Sequence, residues 1–255
     1  MKILNVILFI CFILSLNQKT FAQSNSTFTE VLQKCVKDGL VDYKNLNKDN
    51  DFTNYISQLS KTDPTEFARD EKLSFWINAY NAFTLQIVMV NYPIKSITEL
   101  NEGGKLLADL EGKTVWDKKF ISINNKKYSL NEIEHNILRK MNEPRIHFAL
   151  VCASISCPEL RNEAYEAGKI DQQLQEETKK FLNDKEKNYY DVKNKEAYIS
   201  KLFDWFRVDF GDTDKNILMF ILDYLPKDIS TNISSDVSDW KIKYNNYNWN
   251  LNALK

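Results

Sequence analysis

The chain has 255 residues and an almost balanced charge, with 34 Lys and Arg against 35 Asp and Glu and a formal net charge of −1. A chain of this length can bury a full hydrophobic core, and it predicts one domain, with two as the weaker alternative. Near-neutral charge argues against a nucleic-acid partner or an acidic membrane surface, because both are bound through a basic surface.

Residues 1–22 have the pattern of a secretory signal peptide. An apolar run from Ile3 to Leu16 follows Lys2, and Thr20-Phe21-Ala22 leads to a small-residue cleavage site. The run is short for a membrane span. We therefore expect residues 23–255 to form an exported domain, periplasmic or secreted, with no stable membrane span after cleavage.

The first half of the chain predicts helices. Thr27 to Val36 is amphipathic and places Cys35 on its apolar stripe, which favours a structural role for this thiol. Apolar spacing from Phe52 to Leu59 predicts a second helix. Lys72 to Asn91 is apolar on nearly every face and predicts a central buried helix, and Asp63-Pro64-Thr65-Glu66 is the expected start signal before it.

Two amides lie within this central segment. Asn78 and Asn81 are three residues apart and therefore share one side of the expected helix. Buried amides must be hydrogen-bonded. We expect them either to tie neighbouring backbone or to form part of the wall of a site.

The second half of the chain mixes hairpins with helices. Lys119 to Tyr128 and Tyr189 to Ile199 each predict a hairpin. Ser129-Leu130-Asn131-Glu132 is a capping box that opens a short helix, and Arg145 to Val151, apolar on both faces, predicts a central strand. Pro158 is expected to start a further helix. This order predicts an α+β fold, a predominantly helical single domain with a small antiparallel sheet.

The scarce thiols and imidazoles concentrate between residues 135 and 157. This stretch contains both histidines, His135 and His147, and two of the four cysteines, Cys152 and Cys157. Cys152 ends the expected strand, where side chains reach a crevice. Cys157 precedes Pro158 near an expected helix start, where amide donors and the helix dipole stabilise a thiolate. This stretch is the candidate functional site.

Glu134 is the candidate acid of that site. It falls in the middle of the apolar face of the expected helix, where a carboxylate is costly unless it is paired or hydrogen-bonded. It serves either in a structural ion pair or as a group that orients a histidine or contacts a substrate. Its expected partner is His147, Arg145 or His135, and His147 is the freer choice because adjacent residues of a helix diverge.

The thiols have several interpretations. In the first interpretation Cys152 and Cys157 form a disulfide, which is compatible with an exported protein. Alternatively, His135 and His147 join the two cysteines around zinc, although the spacing matches no common zinc site. In the third interpretation a thiol and an imidazole form a catalytic pair, with the histidine as base and the amides of the turn at residues 153–157 as oxyanion donors. Simple burial of both thiols is the remaining case. We expect no cofactor or metal.

Several motifs together resemble the family called domain of unknown function 547. The motifs that carry the resemblance are Phe75-Trp76-Ile77-Asn78-Ala79-Tyr80-Asn81-Ala82, Ser129-Leu130 through Ile133-Glu134-His135 to Leu138-Arg139, Pro144-Arg145-Ile146-His147-Phe148-Ala149-Leu150, Cys152-Ala153-Ser154 to Ser156-Cys157-Pro158, Phe203 with Trp205 and Asp209-Phe210, and Tyr247-Asn248-Trp249-Asn250-Leu251-Asn252. As a set they cover most of residues 23–255.

The resemblance implies one domain, common in secreted bacterial proteins, with a papain-like or transglutaminase-like cysteine site. On that analogy Cys152 is the nucleophile, His135 the base and Glu134 the acid, while His147 and Cys157 stay as alternative site residues. The expected function is a cysteine-dependent hydrolase or acyl transferase acting on a small-molecule or peptide substrate. The alternative is a non-catalytic periplasmic binding or interaction module with a structural Cys152–Cys157 disulfide.

Overall fold

The computed structural model describes residues 25–102 and 113–254, so the expected signal peptide lies outside the described residues. Helices dominate the fold, as the sequence predicts. The α-helices are 25–35, Tyr43–Leu46, Asn50–Lys61, Arg69–Asn91, Ile170–Leu182, Leu202–Trp205, Asp214–Ile221 and Lys227–Ser235, and a π-helix spans Glu132–Leu138. Shorter 3₁₀ helices are Ile97–Leu100, Val115–Asp117, Arg139–Met141, Pro144–Phe148, Ala167–Lys169, Arg207–Phe210 and Leu222–Tyr224.

The strands of the described residues form small sheets of two or three strands. The antiparallel pairs are Val36–Lys37 with Leu40–Val41, Ile121–Ile123 with Lys126–Tyr128, and Tyr189–Asp191 with Glu196–Ile199. Lys241–Tyr244 adds a parallel strand beside Glu196–Ile199. Both expected hairpins and the helical α+β class are confirmed, and the parallel strand is an addition to the expected antiparallel sheet.

The helix Arg69–Asn91 is the centre of the fold. Every residue from 73 to 85 is buried, which confirms the prediction from its apolar composition. By length and composition this helix could cross a membrane, but 78% of its most apolar window is buried inside the protein. A helix that is apolar on all faces and covered by other elements is a core helix.

Both helix starts expected at prolines are wrong. Asp63 accepts a hydrogen bond from the N–H of Thr65 in a local turn, and the central helix begins five residues after Pro64, at Arg69. Residues 158–166 after Pro158 are not helical. Cys157 therefore does not lie at a helix N-terminus, and the helix dipole does not stabilise its thiolate.

The expected strand over residues 145–151 is also wrong. Pro144–Phe148 forms a 3₁₀ helix, in which the Glu143 carboxylate accepts from the N–H of Arg145. A short apolar run has no periodicity that separates strand from helix, and the proline supplied the helical start. Strand alternation would have put His147 and Cys152 on opposite faces, whereas both side chains line one cavity.

The buried apolar side chains form two clusters. The larger cluster holds residues from Phe28 to Leu174 together with Leu251, and the smaller one holds Phe148 and residues from Phe181 to Trp240. Phe148 belongs to the smaller cluster, although its chain neighbour Ala149 belongs to the larger one. The segment around Phe148 therefore joins the clusters, and the candidate site lies at this junction.

Candidate functional site

A cavity of about 150 Å³ brings the five site residues proposed from the sequence together. Its lining comes from both apolar clusters and from six separate parts of the chain. The lining residues are Tyr80, Trp116, Asn131, Glu134, His135, His147, Leu150, Cys152, Cys157, Leu202, Trp205, Phe206, Tyr247 and Trp249. The cavity is thus lined by all five residues that the sequence placed in the candidate site: Glu134, His135, His147, Cys152 and Cys157.

Asn81 of the central helix holds the segment that carries Cys152. Its side-chain amide donates to the carbonyl of Ala149 at 2.9 Å and accepts from the N–H of Val151 at 2.9 Å. Asn78 makes the same two-way contact with the backbone of Tyr165, with both distances 2.8 Å. Both amides tie neighbouring backbone, and Asn81 thereby fixes the approach to the thiol.

The residue after Cys152 has a left-handed backbone. Ala153 is buried with φ of +57°, a conformation that non-glycine residues rarely adopt. The surrounding structure must hold such a residue in place. The N–H of Asn252 donates to the Ala153 carbonyl at 3.2 Å, and Ser154 forms a bridge with Leu251. The C-terminal segment therefore fixes the turn that presents Cys152.

That segment, residues 247–252, also contacts the thiol itself. Tyr247 Oη lies 3.1 Å from Cys152 Sγ, and Ser154 Oγ lies 3.3 Å from the same sulfur. The N–H groups of Ile155 and Ser156 donate to carbonyls of the segment, those of Asn250 and Asn248. These two amides are thus occupied, which corrects the expectation that they are free oxyanion donors.

The two thiols have opposite acidities. Burial alone would raise the pKa of Cys152, but hydrogen bonds from Cys157, Ser154 and Tyr247 favour the thiolate and lower the pKa to about 7. The N–H of Cys152 donates to Cys157 Sγ at 2.8 Å. Burial and the neighbouring Cys152 raise the pKa of Cys157 well above its usual value. Cys152 is therefore the thiol that ionises near neutral pH.

Glu134 and His135 lie on a π-helix rather than on the expected regular α-helix. The N–H of Arg139 bonds the carbonyl of Glu134, five residues earlier. Such a wider turn is frequent at functional sites, and here it allows two adjacent residues to face the same cavity. The objection that Glu134 and His135 must diverge, which holds for an α-helix, does not apply here.

Glu134 is buried, as its place on the apolar face predicts. It is 7% exposed, and Tyr80 donates to its Oε2 at 3.3 Å. Its Oε1 lies 3.8 Å from Nδ1 of His147, the nearest of the three expected partners. Burial raises the pKa of Glu134 to about 7, and the negative charge of a Cys152 thiolate acts in the same direction. The hydrogen-bond donor Tyr80 was not among the expected partners.

His147 forms the imidazole–carboxylate pair of the site. Its Nε2 lies 2.7 Å from Asp209 Oδ2. Burial opposes ionisation of Asp209, but hydrogen bonds from His147 and Arg139 hold the pKa of this carboxyl well below its usual range. A carboxylate only accepts hydrogen bonds, so Nε2 carries the proton. Burial lowers the pKa of His147, so its neutral ring keeps a lone pair on Nδ1.

His135 has the same tautomer as His147, but its neighbour engages the other nitrogen. Arg139 Nη1 lies 2.9 Å from His135 Nδ1, and a guanidinium group can only donate. Nδ1 therefore accepts, and the ring proton of the neutral imidazole lies on Nε2. Burial and the positive charge of Arg139 lower the pKa of His135 and keep it neutral. His135 contributes a donor to the cavity wall, and His147 contributes an acceptor.

Aromatic rings form the rest of the wall. Phe206 stacks on His147 with a centroid distance of 3.9 Å. Trp205, Tyr247 and Trp249 pack against one another, and Trp116 meets Trp249 edge-on at 5.6 Å. Trp205 is 46% exposed and lies at the mouth. The cavity is therefore apolar around a small set of convergent polar groups, as ligand sites usually are.

The cysteines of the described residues, Cys35, Cys152 and Cys157, are free thiols. Cys35 is buried, and burial raises its pKa. Within residues 25–102 and 113–254, no three His, Cys, Asp or Glu side chains are grouped so that they could hold a metal ion. The titratable groups that line the cavity are the Cys152 and Cys157 thiols, the two imidazoles, the Glu134 carboxyl and the hydroxyls of Tyr80 and Tyr247.

Three residues of the site received no role from the sequence. Asp209 orients His147, Tyr247 contacts the thiol, and Tyr80 donates to Glu134. Each lies within a motif that carries the family resemblance. A role could have been sought there, but no spacing rule links Asp209 or Tyr247 to a partner so distant in the chain.

Residues 64–182 match the family described as "Protein of unknown function, DUF547". The match confirms the resemblance expected from the motifs, and it includes Asn81, Glu134, His147 and Cys152. No curated protein and no solved structure matches the chain.

Proposed function

Residues 64–182 match a family whose function is not established, and we propose that the protein is an exported cysteine-dependent hydrolase or acyl transferase with Cys152 as its nucleophile. One observation carries the proposal. The Cys152 thiol shares a cavity with His147, whose Nε2 is held by Asp209 at 2.7 Å. A nucleophile, a base and a group that orients the base are the parts required for nucleophilic acyl transfer.

The roles follow from the ring nitrogen that each neighbour leaves free, Nδ1 of His147 and Nε2 of His135. His147 accepts the thiol proton on Nδ1, and the Cys152 sulfur attacks the carbonyl carbon of an ester, thioester or amide. The leaving group departs with the proton from His147, and a thioester stays on Cys152. Water or an amine, deprotonated by the same Nδ1, then attacks the thioester and regenerates the thiol. Asp209 stabilises the imidazolium ion in each step.

This assignment differs from the analogy in its base. The family resemblance assigns the base to His135, but Arg139 donates to the Nδ1 of that ring. The protonated Nε2 of His135 suits a donor to the carbonyl oxygen in the transition state. Glu134, buried beside Nδ1 of His147, supports the imidazolium ion when it is ionised. Each ring therefore acts through the nitrogen that its neighbour does not engage: Nδ1 of His147 as the base and Nε2 of His135 as the donor.

The experiment is alkylation of the native protein with iodoacetamide between pH 5 and 9, with the labelled cysteine identified by mass spectrometry. We expect Cys152 to react first, with a midpoint near pH 7. The matched control is Cys35, which is buried, has a raised pKa and should stay unlabelled. Incubation with 4-nitrophenyl acetate should then add one acetyl group to Cys152 in the wild type and none in Cys152→Ser.

Two results would contradict the proposal. Labelling of Cys152 only after denaturation would remove the nucleophile. The second result is a Cys152–Cys157 disulfide in the purified protein, with no reaction of Cys152 with iodoacetamide after the disulfide is reduced. It would favour the alternative of a non-catalytic binding module.

A further inference from the structure

The shape and charge of the cavity restrict what reaches Cys152. Resting on the proposed function, we propose that the site takes an uncharged, apolar acyl group about the size of a benzene ring. Three features of the cavity favour such a group: its aromatic wall, the lack of a Lys or Arg in its described lining, and its volume.

The aromatic rings form a continuous wall. The ring centroid of Tyr247 lies 4.8 Å from that of Trp205 and 4.6 Å from that of Trp249, and the two Trp centroids are 5.8 Å apart. The three rings therefore contact one another. A cage for an ammonium ion needs rings that stand apart around the ion, because the cation lies over their faces. Contacting rings instead offer an apolar surface on which a planar or branched apolar group packs.

The described lining of the cavity offers no Lys or Arg side chain that could pair with an anionic substrate. The nearest guanidinium, that of Arg139, donates Nε and Nη2 to Asp209 and Nη1 to His135. Glu134 and Cys152 are the lining groups that become negative near neutral pH. A carboxylate on the substrate would therefore be desolvated without a cation to pair with.

The volume sets the size. The cavity measures about 150 Å³, and an apolar cavity of about that volume accepts benzene. Leu150, Leu202 and Phe206 close its walls with apolar side chains. The half-exposed Trp205 leaves one side open, so the rest of the substrate extends past this ring into solvent.

Four methanethiosulfonates that share one reactive group test the proposal: methyl, benzyl, 2-sulfonatoethyl and 2-(trimethylammonio)ethyl. Each thiolate attack forms a mixed disulfide on Cys152 and releases methanesulfinate. Rates at pH 7 are divided by the rate of the same reagent with glutathione. We expect benzyl to exceed methyl by about tenfold, because its ring transfers from water to an apolar wall, and sulfonatoethyl to be the slowest.

Two variants identify the wall as the cause. Trp249→Leu removes a ring of the wall and should lower the benzyl-to-methyl ratio severalfold. Tyr189→Leu removes an aromatic ring that is 54% exposed and does not line the cavity, and it should leave the ratio unchanged. Circular dichroism of both variants checks that the fold persists.

The outcomes separate the two proposals. Equal normalised rates for all four reagents, or the highest rate for the sulfonate or the ammonium reagent, would overturn the inference of an apolar acyl group and leave the reactive thiol standing. Failure of every reagent to modify Cys152 before denaturation would overturn the proposed function and the inference with it. An unchanged ratio in Trp249→Leu would show that the ring does not form the subsite.

Discussion

His147 points Nε2 at Asp209 Oδ2 over 2.7 Å, and this contact decides which nitrogen of the ring can act as a base. The carboxylate takes the proton-bearing nitrogen, so Nδ1 is left with a lone pair. That nitrogen is buried and has no hydrogen-bond partner among the described residues. A buried acceptor without a partner is uncommon in a protein interior and requires an explanation, which the proposed role of Nδ1 as the base supplies.

Replacing Asp209 with Asn should impair catalysis by changing the tautomer. The Asn amide can donate to Nε2, which moves the ring proton to Nδ1 and removes the base. We expect acetylation of Cys152 by 4-nitrophenyl acetate to slow by about 10³-fold or more. The ¹⁵N chemical shifts of His147 report the tautomer directly. A slow variant that keeps the wild-type tautomer would contradict this explanation.

Tyr247→Phe should make the thiol less acidic. The substitution removes a hydroxyl that lies 3.1 Å from Cys152 Sγ and keeps the ring. Loss of a hydrogen bond to the thiolate raises its pKa. The midpoint of iodoacetamide labelling should move up by about one pH unit. Tyr189→Phe, at an exposed ring outside the cavity, serves as the control and should leave the midpoint in place.

Glu134→Gln should change the pH dependence of stability. The folded-state pKa of Glu134 is raised to about 7, so its stabilising contribution is complete below the pKa of the unfolded chain. That contribution is lost as the pH rises through the folded value. The free energy of unfolding of Glu134→Gln relative to wild type should therefore increase between pH 4.5 and 8, by about 3 kcal/mol at most.

The measurement for Glu134→Gln is urea denaturation of both proteins at each pH, compared as a difference. His147, whose pKa is lowered, loses stability in the opposite direction, as the pH falls through this window. Taking the difference between variant and wild type removes the part of this effect that both proteins share. A difference that stays constant with pH would refute a raised pKa at Glu134.

Asn81→Ala should destabilise the fold and loosen the thiol. It leaves the carbonyl of Ala149 and the N–H of Val151 without their partner, which costs about 2–4 kcal/mol for two buried polar groups. The matched control is Asn91→Ala at the exposed end of the same helix, where the amide bonds only the carbonyl of Ile87. Chemical denaturation should separate the two variants clearly; equal costs would contradict a special role of Asn81.

Cys35→Ala should be a stability change alone. The side chain is 5% exposed in the larger apolar cluster and lies outside the cavity lining. We expect a loss on the order of 1 kcal/mol and an unchanged rate of Cys152 acetylation. Loss of acetylation in a protein that remains folded would refute a purely structural role.

The sequence predicted the elements that local chemistry specifies. The hairpin over residues 119–128 turns at Asn124 and Asn125, whose positive φ values suit asparagine. The capping box at Ser129 and Glu132 forms with both reciprocal hydrogen bonds. The central helix follows from its composition. Such features depend on a few neighbouring residues and are readable without the fold.

The misassigned elements and contacts depend on residues far apart in the chain. The apolar run at residues 145–151 is as compatible with a strand as with the observed 3₁₀ helix until Phe148 and Ala149 are assigned to different clusters. Four of the candidate site residues could be grouped because thiols and imidazoles are scarce, and Glu134 because it lies on an apolar helix face. Asp209 is 62 residues from His147, and no local pattern links them.

The contacts between Cys152 and the C-terminal segment, residues 247–252, can form only late in synthesis of the chain. Cys152 is synthesised 95 residues before Tyr247. At about 5–20 residues per second, the growing chain carries this cysteine for several seconds without the hydroxyl beside it. During that interval the thiol lacks one of the three side chains, Cys157, Ser154 and Tyr247, whose hydrogen bonds lower its pKa. The full set of contacts that favours the Cys152 thiolate therefore forms only after residues 247–252 have been synthesised and have packed on the turn.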